Sequence, residues 1–251
     1  EAGFNAVKFQ TFYTKEMLIK NTALAKYQRK TRYKNMKDML DKYNLSYDEF
    51  EKLKKYCSKK NITFLSTPFD IRSAIFLNKI RVPAFKISSG DLNNFHLLSK
   101  IKQFKKPIIL STGMASKKEI FEAINLIKKN GKSEFALLKC TSSYPADPKD
   151  INLKTIIDMR KKFKCEVGIS DHTLGIGVSI ASIAFQSTII EKHFTLKRKD
   201  GGVDSKFSIE PHEMKQLVIE SKSAWESIGS IKYGFRPSEK MSIKYRKSIY
   251  I

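Results

Sequence analysis

Seven short hydrophobic runs, each followed by a segment with helical periodicity, constrain the fold of this chain more than any other feature. They predict strands at Ala6–Phe9, Ile62–Ser66, Ala84–Ser88, Pro107–Ser111, Phe135–Thr141, Glu166–Ser170 and Thr188–Phe194. Strands that alternate with helices, at about 20 to 30 residues per unit, are typical of parallel α/β folds. Because no central reversal and no Gly-rich dinucleotide turn interrupts the series, the pattern favours a TIM-type (β/α)8 barrel over a doubly wound sheet.

A barrel of this type has eight strands, whereas the sequence supplies seven candidates. The chain opens with Glu-Ala-Gly-Phe-Asn, the pattern of a helix end with its C′ glycine, and a strand follows at once. We therefore expect the first strand and the first helix of the barrel to be absent from this chain. We assign residues 1–235 to the barrel and interpret 236–251, which begins Arg-Pro-Ser-Glu, as the start of a linker.

A polar stretch rich in Lys and Tyr, from Tyr13 to Tyr47, is too long for a simple connection between a strand and a helix. It is predicted to hold one or two helices and to form an excursion over one mouth of the barrel. Elsewhere, Ser116 and Glu119 have the spacing of a capping box, and Pro211 has the place of a first helical residue.

The formal net charge of +23 makes nucleic-acid binding a function class to consider. The lysines are spread from Lys15 to Lys247 over separate helical segments, and no arginine-rich arm or zinc-finger spacing accompanies them. We therefore expect no nucleic-acid partner. A milder effect is expected instead, in which the positive field attracts a small anionic substrate.

The three cysteines form an odd count without CxxC spacing, which predicts a reducing, cytoplasmic location. No apolar run is long enough to span a membrane and no signal peptide is recognisable, so no membrane partner is expected. Cys140 lies in an apolar run and is interpreted as a small buried hydrophobic residue.

Polar residues that can bind phosphate, carboxylate or metal follow every predicted strand. In a parallel barrel these strand ends meet at one rim, where such folds carry out their chemistry. Lys8 and Lys86 stand out because each interrupts an apolar run. An inward lysine needs an anionic partner, although a lysine that extends along the surface to solvent is the alternative. With the neighbouring hydroxyl groups, these lysines predict a site for a small phosphorylated carboxylate.

Two histidines, His172 and His193, close consecutive strands 21 residues apart. In a parallel βαβ unit this spacing brings the strand ends side by side. Two imidazoles there, with Asp171, Glu191 and Asp204 nearby, can hold a divalent metal. A rim imidazole without a metal is the alternative for each histidine taken singly, and His96 and His212, at presumed helix starts, are given no role.

Seven motifs, in order along the chain, resemble those of a known family. They are AVKFQTF (6–12), FLSTPFD (64–70), FKISSGD (85–91), ILSTGMA (109–115), KCTSSYP (139–145), GISDHTLG (168–175) and IEKHFT (190–195). The chain is similar to the catalytic barrel of the sialic acid synthases, also called N-acetylneuraminate synthases, a group that includes legionaminic and pseudaminic acid synthases.

The resemblance implies a transferase that condenses phosphoenolpyruvate with an N-acetylated amino sugar. The acceptor would be N-acetylmannosamine or a diacetamido trideoxy-hexose, and the products a nine-carbon 2-keto sugar acid and phosphate. The resemblance also implies a divalent metal on His172 and His193, with manganese expected and magnesium or cobalt as alternatives. It further implies a homodimer for the full-length form.

The resemblance assigns roles to further residues of this chain. The catalytic positions match Lys8, Lys86, Asp91 and Glu191. Phosphoenolpyruvate would be held by Lys8, Thr67, Lys86, Ser89, Ser111 and Ser170, and the sugar by Gln10, Tyr144 and Asp204. Many sialic acid synthases have Glu where this chain has Asp91, which leaves the acceptor open.

The family also has a first strand with a glutamate of the site and a C-terminal antifreeze-like domain, and we expect both to be absent from this chain. In family dimers that domain adds an arginine to the partner's sugar site. Two alternatives therefore stay open. One is a related phosphoenolpyruvate-condensing barrel that acts on a phosphorylated sugar and needs a second phosphate site. The other is a truncated barrel without catalytic activity.

Overall fold

The strands of this chain lie close to where the sequence predicts them. The structure, a computed structural model, describes residues 2–17, 24, 33–129 and 133–246. Within these residues the strands are β1 (Ala6–Thr11), β2 (Thr63–Pro68), β3 (Phe85–Ile87), β4 (Ile108–Ser111), β5 (Phe135–Cys140), β6 (Glu166–Asp171) and β7 (Ile190–Lys192). All seven predicted strands are therefore confirmed, and no strand end differs by more than two residues from its predicted position.

Every strand pair in the described part of the chain is parallel. β1 pairs with β2, and β3 to β7 form a second sheet in sequence order. β2 packs beside β3, so the strands follow one another around a common interior in chain order. This order, with a helix after most strands, is that of a TIM-type α/β barrel.

The helices occupy the connections between the strands. Over the described residues they are α1 (Thr14–Met17), α2 (Met36–Tyr43), α3 (Tyr47–Lys59), α4 (Ile71–Lys79), α5 (Phe95–Lys102), α6 (Lys117–Lys128), α7 (Lys154–Phe163), α8 (Gly177–Ala184) and α9 (Pro211–Ile228). The predicted capping box at α6 is present, because Glu119 N donates to Ser116 Oγ and Ser116 N donates to Glu119 Oε2. Pro211 is the first residue of α9, also as predicted.

The two faces of the strands have different chemistry. One face carries fully buried apolar side chains that pack against the helices: Phe85, Ile87, Ile108, Leu110, Leu137, Val167 and Ile169. Burial of each such side chain stabilises the fold by roughly 1.5–3 kcal/mol. Because side chains alternate along a strand, the residues between them face the barrel interior, and these include Lys86, Ser111 and Ser170.

A glycine allows β6 and β7 to approach closely. A Cβ atom on Gly168, within β6, would lie 2.2 Å from the carbonyl oxygen of Ile189, which immediately precedes β7. No side chain fits at this separation, so the glycine is required for the pairing of these two strands.

β7 and β1 are not paired among the described residues, and a ring contact spans the seam between them. The rings of Phe4 and Phe194 are 6.2 Å apart, and Phe194 forms a single parallel bridge with Ile209. Through this bridge, Ile209 N donates to His193 O at 2.9 Å and Thr195 N donates to Ile209 O at 3.0 Å. A strand ahead of Ala6 is not among the described residues, and its absence from the chain stays a prediction.

The excursion predicted for Tyr13 to Tyr47 is described in part, since residues 18–23 and 25–32 lie outside the described residues. The rest includes α1 and α2 and contributes to a small second apolar core. Its buried members are Phe12, Leu24, Met39 and Leu40, with Phe69 and Val203 packed against them. Phe12 and Phe69 directly follow β1 and β2, so the described part of the excursion packs at the carboxyl ends of these strands.

Residues 236–246 form two short 3-10 turns, Pro237–Glu239 and Ser242–Tyr245, on an exposed part of the surface. Residues 247–251 lie outside the described residues, so the predicted linker is described in part. Among the described helices none has both the length and the apolar character that crossing a membrane requires.

Candidate active site

A buried lysine and a carboxylate meet inside the barrel. Lys86 is 3% exposed; its Nζ donates to Ser111 Oγ at 2.6 Å and to Ile87 O at 3.0 Å. The same Nζ lies 3.6 Å from Glu191 Oε1, which accepts a hydrogen bond of 3.0 Å from Ser170 Oγ. β3, β4, β6 and β7 thus each supply one member of this cluster.

The charges of this cluster shift one another's protonation. Burial would raise the pKa of Glu191, but the ammonium groups of Lys86 and Lys8 outweigh burial and hold that pKa at about 2. Burial lowers the pKa of Lys86, and the Glu191 carboxylate opposes that change. Glu191 is therefore ionised at neutral pH, where it can accept a proton or stabilise positive charge but has no proton to donate.

Lys8 adds a second positive charge to the interior. It lies on β1, half-buried, and forms neither a hydrogen bond nor an ion pair with any residue that the structure describes. Its charge nevertheless acts on Glu191, His193 and Asp204, whose pKa values it lowers. Two lysines face one ionised glutamate here, so this part of the interior suits an anionic ligand.

The two predicted metal ligands come together at the ends of β6 and β7. The ring centroids of His172 and His193 are 5.3 Å apart. His172 Nδ1 lies 2.9 Å from Thr141 O, and because a carbonyl only accepts, this nitrogen carries the proton and Nε2 is left as a donor to a metal. His193 Nδ1 lies 3.5 Å from Asp204 Oδ2.

Burial, together with the nearby His172 and Lys8, lowers the pKa of His193 to about 3. Burial opposes a charge on His172 as well, but its contacts with Cys140 and Thr141 raise its pKa. Burial raises the pKa of Asp204. His193 is therefore a neutral imidazole at physiological pH, the form that binds metal ions.

The donor set for a metal is incomplete in the part of the chain that the structure describes. No three side chains of His, Cys, Asp or Glu converge there as a metal site would require. Asp171, expected beside the histidines, faces the opposite side of the sheet and pairs with Lys192 at 2.8 Å. The two imidazoles still fit a divalent metal whose other positions are open to water or substrate, with Asp204 alongside.

Aromatic rings surround the histidines. Tyr144, which precedes a cis peptide bond to Pro145, lies 4.4 Å from the ring of His172 and 5.3 Å from that of Phe207. Phe207 lies 5.1 Å from the ring of His193. Tyr144 was predicted as a sugar-binding residue, whereas Phe207 was missed because it lies in an irregular segment outside the strand ends.

A further group of small side chains lies between β3 and β5. Gly113 N donates to Ser89 Oγ at 2.9 Å, and a Cβ atom on Gly113 would lie 2.3 Å from Ser142 Oγ. Cys140 Sγ lies 3.9 Å from His172 Nδ1. The prediction that Cys140 is buried is confirmed, but its thiol faces the site. Burial raises the pKa of this thiol, whereas the contact with His172 lowers it, and the net effect is a lower pKa. The position of Cys140 on the inward face of β5 is the sequence signal that could have placed it in the site.

For three more of the predicted residues, the described contacts lie within their own loop or strand pair. Asp91 accepts hydrogen bonds from Ser88 Oγ at 2.6 Å and Asn94 Nδ2 at 3.3 Å, both within its own loop. Thr67 is buried on β2, and Gln10, its neighbour in the β1–β2 register, is exposed. The roles predicted for these three stay predictions.

Comparison with known proteins gives consistent matches. A sequence model of the NeuB family matches residues 1–233. The N,N'-diacetyllegionaminic acid synthase of Campylobacter jejuni subsp. jejuni is 40% identical over 254 residues, which cover 99% of this chain and 76% of that protein.

Solved structures match over the same region. The N-acetylneuraminic acid (sialic acid) synthetase of Leptospira borgpetersenii, in complex with citrate, has a TM-score of 0.84 and 36% identity, covering 99% of this chain and 82% of that chain. A truncated 3-deoxy-D-arabino-heptulosonate 7-phosphate synthase of Thermotoga maritima has a TM-score of 0.68 at 16% identity, covering 89% and 87% of the two chains. The second match shows a shared fold alone.

Proposed function

This chain belongs to the NeuB family, whose relatives are synthases of the sialic acid type, and we propose that it condenses phosphoenolpyruvate with an N-acetylated amino sugar. The products would be a nine-carbon 2-keto sugar acid and phosphate. The proposal includes manganese as the metal and a homodimer, which rest on the family membership, and a cytoplasmic location, which rests on the cysteine usage.

The observation that carries the proposal is the charge arrangement inside the barrel. Lys86 and Lys8 supply two positive charges, while Glu191 supplies one negative charge. Phosphoenolpyruvate carries a phosphate and a carboxylate, so the net positive charge of this cluster would favour its binding. The hydroxyl of Ser111, which already accepts a hydrogen bond from Lys86, is available to donate to one of its oxygens.

The reaction places defined demands on these residues. C3 of phosphoenolpyruvate attacks the open-chain aldehyde of the sugar, and C2 develops oxocarbenium character. Water then adds at C2, and the C–O bond to phosphate breaks. Lys8 and Lys86 would stabilise the phosphate and carboxylate charges throughout. Glu191, which is ionised, would stabilise positive charge at C2 or accept a proton from the attacking water.

The histidines would serve the acceptor half of the reaction. His172 and His193 would hold a divalent metal, which when bound supplies Lewis acidity toward the sugar aldehyde. Asp204, beside His193, would accept a hydrogen bond from a sugar hydroxyl, and Tyr144 would pack against the sugar. Gln10 and Asp91 keep their predicted roles in this proposal, as do the hydroxyls of Thr67, Ser89 and Ser170.

The proposed acceptor is a sugar without phosphate. The loop after β7 carries Arg198, the residue type best suited to a second phosphate. Its guanidinium already pairs with Glu213 and lies 3.7 Å from Glu210 Oε1. Arg198 is therefore engaged within its own loop and helix, and would have to leave these carboxylates to bind a second phosphate.

The test is phosphate release from phosphoenolpyruvate with manganese, using N-acetylmannosamine, diacetamido trideoxy-hexoses and their phosphorylated counterparts in parallel. We expect release with an unphosphorylated sugar, and its loss on addition of a chelator. Release only with a phosphorylated sugar would replace the proposed acceptor. Silence with every sugar, in a protein that circular dichroism shows to be folded, would support a barrel without catalytic activity.

A further inference from the structure

Asp171 and Lys192 form an ion pair that is sealed from solvent on the outer side of β6 and β7. Their side chains are 0% and 1% exposed, and Lys192 Nζ lies 2.8 Å from Asp171 Oδ2. Removing two charges from water is costly, and two apolar side chains commonly fill such a space with equal or better stability. Stability alone therefore does not account for this pair.

The pair sits at the centre of a saturated hydrogen-bond network. Asp171 Oδ1 accepts from both the amide and the hydroxyl of Thr173, each at 2.8 Å. Asp171 Oδ2 accepts from Ser179 Oγ at 2.5 Å as well as from Lys192, and Lys192 Nζ also donates to Thr173 O at 2.8 Å. The network joins the ends of β6 and β7, the loop after β6, and α8.

The network lies one residue away from each of the two histidines. Asp171 and Lys192 are direct partners in the β6–β7 register, so the next step along both strands brings His172 beside His193. Because side chains alternate, the ion pair points toward the helices while the imidazoles point into the site. The two imidazole rings, 5.3 Å apart, thus extend from strand ends that the ion pair joins.

We propose that the Asp171–Lys192 pair is a positioning element that fixes the spacing of His172 and His193, and with it the metal affinity of the site. The metal half of this inference rests on the proposed function. Neither residue of the pair faces the ligand side, so both act through the backbone that carries the imidazoles. Outer residues that hold ligand histidines in place typically change metal affinity 10- to 100-fold when they are replaced.

The test compares two double variants of the whole chain. Asp171→Asn with Lys192→Met removes the buried charges together, so that no unpaired charge remains. Arg160→Gln with Glu166→Gln is the control, because this ion pair, at 2.8 Å, joins α7 to the amino end of β6, the strand that carries Asp171 near its carboxyl end. The measurements are the Mn²⁺ dissociation constant by calorimetry, thermal unfolding, and the nuclear Overhauser contact between the two histidine rings in metal-free protein.

We expect the first double variant to unfold cooperatively, to bind Mn²⁺ about 10- to 100-fold more weakly, and to lose the contact between the rings. The control should keep the affinity and the contact. Wild-type affinity and an intact ring contact in the folded Asp171→Asn/Lys192→Met protein would overturn the inference.

A milder variant serves if the double variant does not fold. Ser179→Ala removes one hydrogen bond from Asp171 and leaves both charges in place. Weaker Mn²⁺ binding at an unchanged unfolding temperature would support the inference. Unchanged Mn²⁺ binding with an unchanged ring contact would overturn it. If the wild-type protein binds no Mn²⁺ while only the first double variant loses the ring contact, the proposed metal role fails and the positioning role stands.

Discussion

At the scale of single residues, the ammonium group of Lys86 occupies a place where an aliphatic side chain would be easier to bury. Its hydrogen bonds to Ser111 and Ile87 offset part of the desolvation, and Glu191 supplies the opposite charge at 3.6 Å. A charge held in the interior in this way costs stability, and under the proposed function its use is to meet a ligand of opposite sign.

Lys86→Met should lower kcat/KM for phosphoenolpyruvate by about 100-fold or more, because a preorganised positive charge toward the reacting anion is lost. The pKa of Glu191 should rise from about 2, since one of its two cations is removed. Steady-state kinetics and carboxyl NMR titration measure these effects.

Lys106→Met is the matched control for this prediction. Lys106 is half-buried, whereas Lys86 is fully buried. Lys106 Nζ donates to Val82 O at 2.8 Å, and this lysine lies just ahead of β4, away from the strand ends that carry the site. Equal activity in Lys86→Met and Lys106→Met proteins would remove Lys86 from the catalytic machinery.

The depressed pKa of His193 predicts how stability changes with pH. Its folded-state pKa of about 3 lies below the ordinary 6.5, so the unfolded state takes up the proton first. His193 therefore contributes stability above pH 6.5 that is lost as the pH falls toward 3. In metal-free protein, His193→Gln should reduce the slope of unfolding free energy against pH by up to about 1.4 kcal/mol per pH unit in this window.

Urea unfolding between pH 3 and pH 7 in the presence of a chelator measures that slope. His212→Gln is the control, because this imidazole is 75% exposed on α9 and should leave the slope as it is. An unchanged slope in the His193→Gln protein would show that this imidazole is not kept neutral by its surroundings.

At the scale of secondary-structure elements, the pairing of β6 with β7 depends on Gly168. Gly168→Ala should destabilise the protein by about 3 kcal/mol or more, because its Cβ would meet the carbonyl oxygen of Ile189 and the backbone must shift. Gly177→Ala is the matched control: nothing lies within 4 Å of its added Cβ, at the first turn of α8. That control should be neutral or slightly stabilising in urea unfolding. Equal stability of the two variants would mean that β6 and β7 adjust freely.

Strands were the most predictable elements, because an apolar face against the helices leaves a signal in the sequence. The predicted strand Thr188–Phe194 shortens to Ile190–Lys192 in the structure. Ahead of β7, Thr188 N donates to Val167 O and Ser187 N donates to Ser182 O. Pairing of this kind depends on tertiary contacts, so local propensity does not reveal it.

The site was predictable where its residues occupy strand ends. The pair His172 and His193, and the cluster of Lys86 with Ser111 and Glu191, come together as the barrel topology requires. The expectation that Asp171 joins the metal site was wrong, because chain proximity to His172 does not distinguish the two faces of a strand.

At the scale of the whole molecule, the net charge of +23 predicts a dependence on ionic strength. Association with phosphoenolpyruvate should slow by about 10-fold between low and high salt, since the positive field steers an anion toward the site. Stopped-flow binding measures this rate, and the KM of the uncharged sugar is the internal control. A rate independent of salt would show that the lysines serve only as a solvated surface.

The arrangement of β7, β1 and the excursion at the mouth was the least predictable part of the molecule. Phe4 and Phe194 meet across the seam, and Val203 packs with residues of the excursion, through contacts between distant parts of the chain. Neither contact follows from periodicity, because each joins irregular segments whose positions are set by tertiary packing.

The alternation of side chains along β6 and β7 has a consequence for how such a protein can change over evolutionary time. Insertions in the loops leave the barrel interior intact, whereas the loss of a single residue within β6 would exchange the places of Ser170 and Asp171. The sheet would then present its scaffold to the substrate and its chemistry to the helices. Strands of this fold can therefore gain or lose residues only in pairs without exchanging their two faces, while the loops can change length by any number.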